Sequence, residues 1–178
     1  METVRRDGQA EGTGAGILGS VTPPMMCLCL LIRDDQVLLG RKKRGFGEGR
    51  VVGPGGKVEP GEWPAQAAVR EVAEETGLSV AQPDLDEVAW ITYRFPARPA
   101  WDQDATVFAT QRWSGEVAES DEIDARWFDT AALPLDQMWD DARYWLPRVL
   151  KGERVQVAAT FAADCATVAE IRVDPVVS

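Results

Sequence analysis

Three glutamates stand where a helix would gather their carboxylates. In Arg70-Glu71-Val72-Ala73-Glu74-Glu75-Thr76-Gly77-Leu78, Glu71, Glu74 and Glu75 occupy positions i, i+3 and i+4, which share one helical face. Three such charges repel one another, and they fall near the C-terminal end of the element, where the macrodipole disfavours anions. A divalent cation held by oxygen ligands would remove that cost. A solvated acidic helix face would need no cation, and short acidic runs are common. The wider spacing favours the cation. Gly56, Glu62, Arg70, Glu71, Val72, Glu74, Glu75, Gly77 and Leu78 form one register, Gly-x5-Glu-x7-Arg-Glu-Val-x-Glu-Glu-x-Gly-Leu, whose chance occurrence is on the order of 10⁻¹⁰ at average residue usage.

Other chemistries are removed by composition. The chain has 178 residues and no histidine. Ser-His-Asp and Cys-His nucleophile pairs, imidazole metal sites and histidine pH switches are therefore excluded. Asp and Glu number 29 against 19 Lys and Arg, a formal net charge of −10, which argues against a nucleic-acid polymer as partner because backbone binding needs a basic face. A small phosphorylated substrate remains open if a cation carries the missing positive charge. Gly53-Pro54-Gly55-Gly56-Lys57 is not a P-loop, since Val58 follows the lysine and Val51 stands at the first glycine position. Cys27, Cys29 and Cys165 form an odd set without a CxxC pair and read as free core thiols. No run approaches the ~18 apolar residues of a membrane span, and no signal-peptide cleavage site is evident. A cytoplasmic protein, more readily a monomer than an oligomer, is expected.

The elements that must position these groups follow from periodicity and punctuation. Residues 1–22 are glycine-rich and read as a flexible tail, 23–173 as one domain, and 174–178 as a second tail. Residues 25–33 and 36–40 are apolar runs around Asp34-Asp35, a hairpin signal. A short strand is expected at 50–52, followed by the glycine loop 53–56. Pro64 suits the first position of a helix that Gly77 ends, with Ala68, Val69, Val72 and Ala73 as its apolar stripe. Strands are expected at 86–95, 105–112 and 125–128, a helix at 136–150 bent or ended by Pro147, and a hairpin from 153–161 and 166–173. Strands outnumber helices, which predicts an α+β domain with one mixed sheet and helices on its faces.

The segment Gly56 to Leu78 matches every position of the signature of the Nudix hydrolases, and the chain is identified as resembling that family. The resemblance continues in Leu38-Leu39-Gly40-Arg41-Lys42-Lys43-Arg44-Gly45-Phe46-Gly47, in Glu119-Ser120-Asp121-Glu122, in Trp127-Phe128, in Met138-Trp139-Asp140-Asp141 and in Tyr144-Trp145-Leu146-Pro147. These stretches resemble the MutT-type nucleotide-pool sanitisers over roughly residues 25–173. The resemblance implies a mixed β-sheet between helices, an α/β/α sandwich. It implies Mg²⁺, or Mn²⁺, held by Glu71, Glu74 and Glu75, with Glu75 or Glu74 the more intimate ligand and the Gly55 carbonyl a further one. Glu122 would be a fourth carboxylate, either ligand or base for the attacking water. Glu74, Glu75 and Glu122 are thus the candidate catalytic set. Glu62 and Arg70, with Gly56 and Gly77, would be structural. Lys42 and Lys57 are candidate phosphate contacts, or simply solvated lysines. Phe46, Tyr93, Ile123 and Trp139 would wall a base, and Asp141 would read its edge.

The implied reaction is hydrolysis of a nucleoside triphosphate to a monophosphate and pyrophosphate, removing oxidised or modified purine nucleotides such as 8-oxo-dGTP before they damage DNA. Dinucleoside polyphosphates or nucleotide sugars are the alternative substrates, and a non-catalytic nucleotide sensor the alternative role. Val52, Ala142 and Cys27 stand where the resembled enzymes carry polar groups. An apolar site discriminates by only ~1–3 kcal/mol per group, so broader selectivity, or selectivity displaced toward another nucleotide, is compatible with the resemblance.

Overall fold

β1 (Met25–Arg33) is apolar on both of its faces, which marks it for the middle of a covered sheet. A computed structural model describing residues 22–177 places it there; residues 1–21, nearly all of the expected N-terminal tail, and residue 178 lie outside the described residues. The other strands are β2 (Gln36–Lys42), β3 (Val51–Val52), β4 (Gly55–Lys57), β5 (Asp86–Arg94), β6 (Gln103–Thr110), β7 (Ile123–Asp129), β8 (Val155–Phe161) and β9 (Val168–Pro175). Their order is β3-β2-β1-β6-β5-β8-β9, with β4 paired to β1 and β7 to β2. β1–β6 and β5–β8 are parallel and the other pairs antiparallel, so the sheet is mixed.

Alternation along β1 assigns one helix to each face. Cys27, Cys29 and Leu31 pack with Ala67, Ala68 and Val72 of α1 (Pro64–Thr76). Leu28, Leu30 and Ile32 pack toward Trp145, Leu146 and Val149 of α2 (Ala142–Leu150). The result is an α/β/α sandwich. Each strand residue commits its side chain to one layer by the two-residue period. β1 pairs with β2 only at Ile32–Arg33, and with β4 at Met26–Leu28. The sheet forks between these contacts, and the fork opens the cavity described below.

The structure departs from sequence expectation most in four regions, while the ends of other strands shift by one or two residues. Residues 55–57 are a strand rather than a loop, because glycine lets this backbone lie hard against β1. α1 buries Glu71, Glu75 and Thr76, while Ala73 is exposed, so its inward face is rotated from the purely apolar stripe. The region 136–150 divides into a 3₁₀ turn at Leu135–Gln137 and α2. Pro147 lies inside α2 without ending it, and the carbonyl it leaves unpaired belongs to Arg143, an exposed residue that water can satisfy. Finally, β9 pairs as far as Pro175, two residues past the expected boundary at 173.

Candidate active site

β4 lies against β1 on one side and α1 on the other at distances that only glycine allows. A Cβ on Gly55 would lie 2.1 Å from the Cys27 carbonyl oxygen, and one on Gly56 would lie 2.4 Å from Glu71 Oε1. Through this contact the Gly55 N–H donates to Glu75 Oε2 at 2.8 Å. Glu71 and Glu75 are buried, and Glu122, half-exposed immediately before β7, completes a trio. One carboxylate oxygen from each lies within 4.8 Å of the other two.

Glu71 is paired by Arg70 and Glu122 by Arg44 Nη2 at 2.9 Å, which leaves Glu75 as the carboxylate without an arginine. Burial pushes the Glu75 carboxyl up to about 7, with Glu71 and Glu122 adding repulsion, against the Gly55 N–H and Lys42. Burial also raises Glu71, against the pull of Arg70. A hard divalent cation takes six or more oxygen ligands and favours carboxylates. The crowded, deprotonatable donor set fits such an ion, and Glu71, Glu75 and Glu122 are the residues placed to hold it. Glu74 is turned elsewhere: it is exposed, and it accepts from Arg70 Nη1 at 3.2 Å.

Arg70 organises the loop before α1. Its Nε and Nη2 donate to the two Glu62 oxygens at 2.8 and 2.9 Å, Nη2 also to the Lys57 carbonyl at 3.0 Å, and Nη1 to Glu71 Oε1 at 2.8 Å. The planar fork meets Glu62 bidentately and ties one end of the loop to the first buried carboxylate. Arg70 holds the Glu62 carboxyl down to about 2. Gly77 adopts φ 75° and its N–H closes α1 on the Ala73 carbonyl at 3.0 Å, the left-handed stop that glycine favours.

Beside the acidic trio lies a cavity of about 120 Å³ in the fork of the sheet. Gly55, Gly56 and Lys42 border it at the acidic end. Phe46, Tyr93, Phe95, Trp139 and Phe161 provide aromatic wall, and Leu28, Leu30 and Met138 aliphatic wall. Phe46 stacks on Trp139 with centroids 5.2 Å apart at 16°. It rides on the segment between β2 and β3, where Gly45, Gly47 and Gly49 all have φ between 78° and 85°, values that favour glycine. At the far end Asp141 is fully buried. Its Oδ2 accepts from Trp145 Nε1 at 2.8 Å, and its Oδ1 has no partner. Burial raises the Asp141 carboxyl, and burial together with the neighbouring Asp141 charge raises the Tyr93 hydroxyl. The Tyr93 hydroxyl acts on the same carboxylate, so Asp141 and Tyr93 form a polar pair within a mainly apolar cavity, able to hydrogen-bond a ligand's edge.

The structure brings Gly55, Gly56, Glu71, Glu75 and Glu122 together, and it sets Lys42, Phe46, Tyr93, Trp139 and Asp141 around the adjoining cavity. It does not bring Lys57 or Ile123 to that cavity. Lys57 is exposed on β4, and Ile123 packs over Gly40, where a Cβ would lie 2.7 Å from its Cδ1. Sequence reasoning passed over Phe95, Phe161 and Arg50. The alternation of Val155, Val157, Ala159 and Phe161 pointed Phe161 inward but not toward which cavity. Arg50 lies 4.1 Å from the Trp139 ring centroid and donates to the Met138 carbonyl at 3.2 Å; nothing in its glycine-flanked neighbourhood signals that contact. Cys27 and Cys29 are free and buried on the α1 side, with thiols pushed up to about 11 and 12 by burial.

The NUDIX domain profile matches residues 23–149. An oxidized purine nucleoside triphosphate hydrolase of Danio rerio is 41% identical over 133 residues, 75% of this chain and 83% of the relative. The protein of the same name from Mus musculus is 38% identical over the same coverage. Among solved structures, a mutator MutT protein from Bacillus halodurans superposes with a TM-score of 0.71 at 22% identity, over 85% of this chain and 97% of that one. This last likeness concerns the fold.

Proposed function

This chain belongs to the Nudix hydrolase family, and we propose that it is a Mg²⁺-dependent nucleoside triphosphate pyrophosphohydrolase that clears oxidised or otherwise modified purine nucleotides. One observation carries the reading. The acidic trio and the aromatic cavity share the glycine strand β4, so a single extended ligand can lay polyphosphate at Glu71, Glu75 and Glu122 and a base beside Trp139 and Asp141. The relatives named for oxidised purine triphosphates support the choice of substrate.

When bound, Mg²⁺, or Mn²⁺ in its place, supplies charge neutralisation of the phosphates and a more acidic water. The chain supplies the rest. Glu71 and Glu75 are fixed from opposite sides, Glu71 by Arg70 and Glu75 by the Gly55 N–H. The Gly55 carbonyl is a further candidate ligand. Glu122 is the most accessible of the three, and we assign it the side open to attacking water. Lys42, between the cavity and Glu75, is placed to meet a phosphate oxygen. Trp139 is stacked by Phe46 and covered by Arg50, so a base gains the ~1–3 kcal/mol of aromatic stacking by taking the place of one of them, and Asp141 offers one directional contact. Glu74 faces solvent and Arg70 and is the least suited of the four carboxylates to ligate.

No helix among the described residues is long and apolar enough to cross a membrane. We place the protein in the cytoplasm as a monomer, where nucleotide triphosphates are found and buried cysteines stay reduced. The test is pyrophosphate release, compared as kcat/KM, across 8-oxo-dGTP, methylated and unmodified purine triphosphates, pyrimidine triphosphates, a dinucleoside polyphosphate and ADP-ribose. Preference for a modified purine triphosphate with strict metal dependence is expected. No release from any of them in Mg²⁺ or Mn²⁺ would overturn the reading.

A further inference from the structure

The segment Met138–Ala142 carries both Trp139 and Asp141, yet between the 3₁₀ turn and α2 it has little regular structure of its own. Asp140 lies between these two cavity residues. Its side chain crosses to the β8–β9 hairpin, where the Val168 N–H donates to Asp140 Oδ2 at 2.9 Å. The bond falls where the β8–β9 register shifts between Thr160 and Phe161, the latter opposite Val168. Asp140 Oδ1 pairs with Arg143 Nε at 2.9 Å in the first turn of α2. One half-buried carboxylate thus ties three elements together: the cavity segment, α2 and the hairpin.

The hairpin is a firm anchor. Its turn is closed by Asp164, which accepts from the Ala166 and Thr167 backbone N–H groups at 2.9 Å and from Thr167 Oγ1 at 2.6 Å. Phe161 stacks on Phe95 at 4.5 Å and meets Trp139 edge-on at 5.8 Å. Phe95, Phe161 and Cys165 are buried together with Trp139 packed against them. The hairpin lies entirely beyond residue 149, where the NUDIX profile match ends.

We propose that Asp140 is a positioning residue: through Val168 it locks Trp139 and Asp141 to the β8–β9 hairpin and so sets the geometry with which the cavity grips a base. The proposal rests on the reading of that cavity as the base site. It assigns Asp140 no contact with substrate and no part in the acidic trio at the other end of β4.

The test uses the full chain, 8-oxo-dGTP and dGTP as substrates, and pyrophosphate release. Asp140→Ala is expected to raise KM for 8-oxo-dGTP by about 10-fold, the scale of one hydrogen bond to a charged group, to narrow the preference over dGTP, and to leave kcat unchanged. Asp140→Asn keeps an oxygen acceptor for the Val168 N–H and is expected to restore KM. A purely electrostatic or bulk stability role would not be rescued in this way. Val168→Pro removes the same bond from the donor side and decides the matter if Asp140→Ala does not fold. Trp139→Ala separates the two levels of inference. If it raises KM while Asp140→Ala does not, the positioning role is wrong and the base site stands. If Trp139→Ala also leaves KM unchanged, the cavity is not the base site and both fall. An Asp140→Asn variant as impaired as Asp140→Ala overturns the proposal as well.

Discussion

Alanine at Gly55 and alanine at Gly56 add the same methyl group to neighbouring residues, and the structure predicts opposite consequences. At Gly56 the new Cβ would lie 2.4 Å from Glu71 Oε1, and ordinary contact begins near 3.4 Å. The carboxylate must therefore retreat by about 1 Å. It is the far end of a flexible side chain, so the fold can yield, but Arg70 grips the same oxygen at 2.8 Å. The retreat disturbs the acidic trio, and a misplacement of ~1 Å near the chemistry can cost ~10²-fold in rate. Gly56→Ala should keep nearly its full melting temperature, lose about two orders of magnitude in kcat, and bind Mg²⁺ more weakly in calorimetry. At Gly55 the Cβ would lie 2.1 Å from the Cys27 carbonyl oxygen and 2.9 Å from Leu28 Cα, both backbone atoms of the central strand. Neither can move without breaking the β1–β4 pairing. Overpacking of this kind costs ~3 kcal/mol or more, or about 6–12 °C in melting temperature for a chain of this size. Thermal unfolding, turnover and metal titration of the two variants side by side make the assay. Wild-type turnover in Gly56→Ala would refute the role given to Glu71's position, and a wild-type melting temperature in Gly55→Ala would refute the close packing of β4 on β1.

Glu75→Gln should lower kcat by at least ~10²–10⁴-fold, measured as pyrophosphate release. The carboxyl is raised from 4.5 to about 7 in the folded chain, so its favourable contribution is full below pH 4.5 and is lost as pH rises through 7. In EDTA, wild-type stability should fall between those values by roughly 3 kcal/mol at most, and Glu75→Gln should lack much of that slope; parallel melts from pH 5 to 8 decide it. Arg70→Lys replaces a fork that reaches Glu62, Glu71 and the Lys57 carbonyl with a point charge, and should lower the melting temperature by several degrees and weaken metal binding. Because Arg70 holds Glu62 down to about 2, that pair's contribution is present above pH 4.5 and lost as pH falls through 2, so acid unfolding of the variant should begin at higher pH than in wild type. Lys42→Met should raise KM for triphosphates, with the increase shrinking at high salt as screening replaces the lost charge; a salt-independent KM would remove Lys42 from the phosphates.

Glu71 and Glu75 are legible as a pair in the sequence because their information is local. Helical spacing by itself puts Glu71 and Glu75 one turn apart, and Gly77 and Pro64 fix the ends of the element that carries them. The same spacing also sets Glu74 on that face, where it is exposed and paired with Arg70 outside the strip that β4 covers. The strands other than β4 were readable in place, and a few residues at their ends were not, because end residues are decided by their pairing partner. Lys57 and Ile123 could not be separated from the cavity residues by sequence, as both lie on strands whose direction depends on the fork between β2 and β4.

The sequence by itself therefore determined the charge problem: carboxylates at helical spacing near the end of one helix, a glycine-rich loop before it, and no histidine to offer another route. Tertiary structure alone decided which carboxylates converge, that Glu122, just ahead of β7, joins them, that Phe161 enters the aromatic wall, and that Asp140 and Arg50 contact the segment carrying Trp139. The division has a physical cause. Periodicity along one helix is a property of a few consecutive residues, whereas the cavity is built from β1 to β6, β8, α2 and the segments that connect them, whose mutual placement exists only once the sheet has formed and closed around its core.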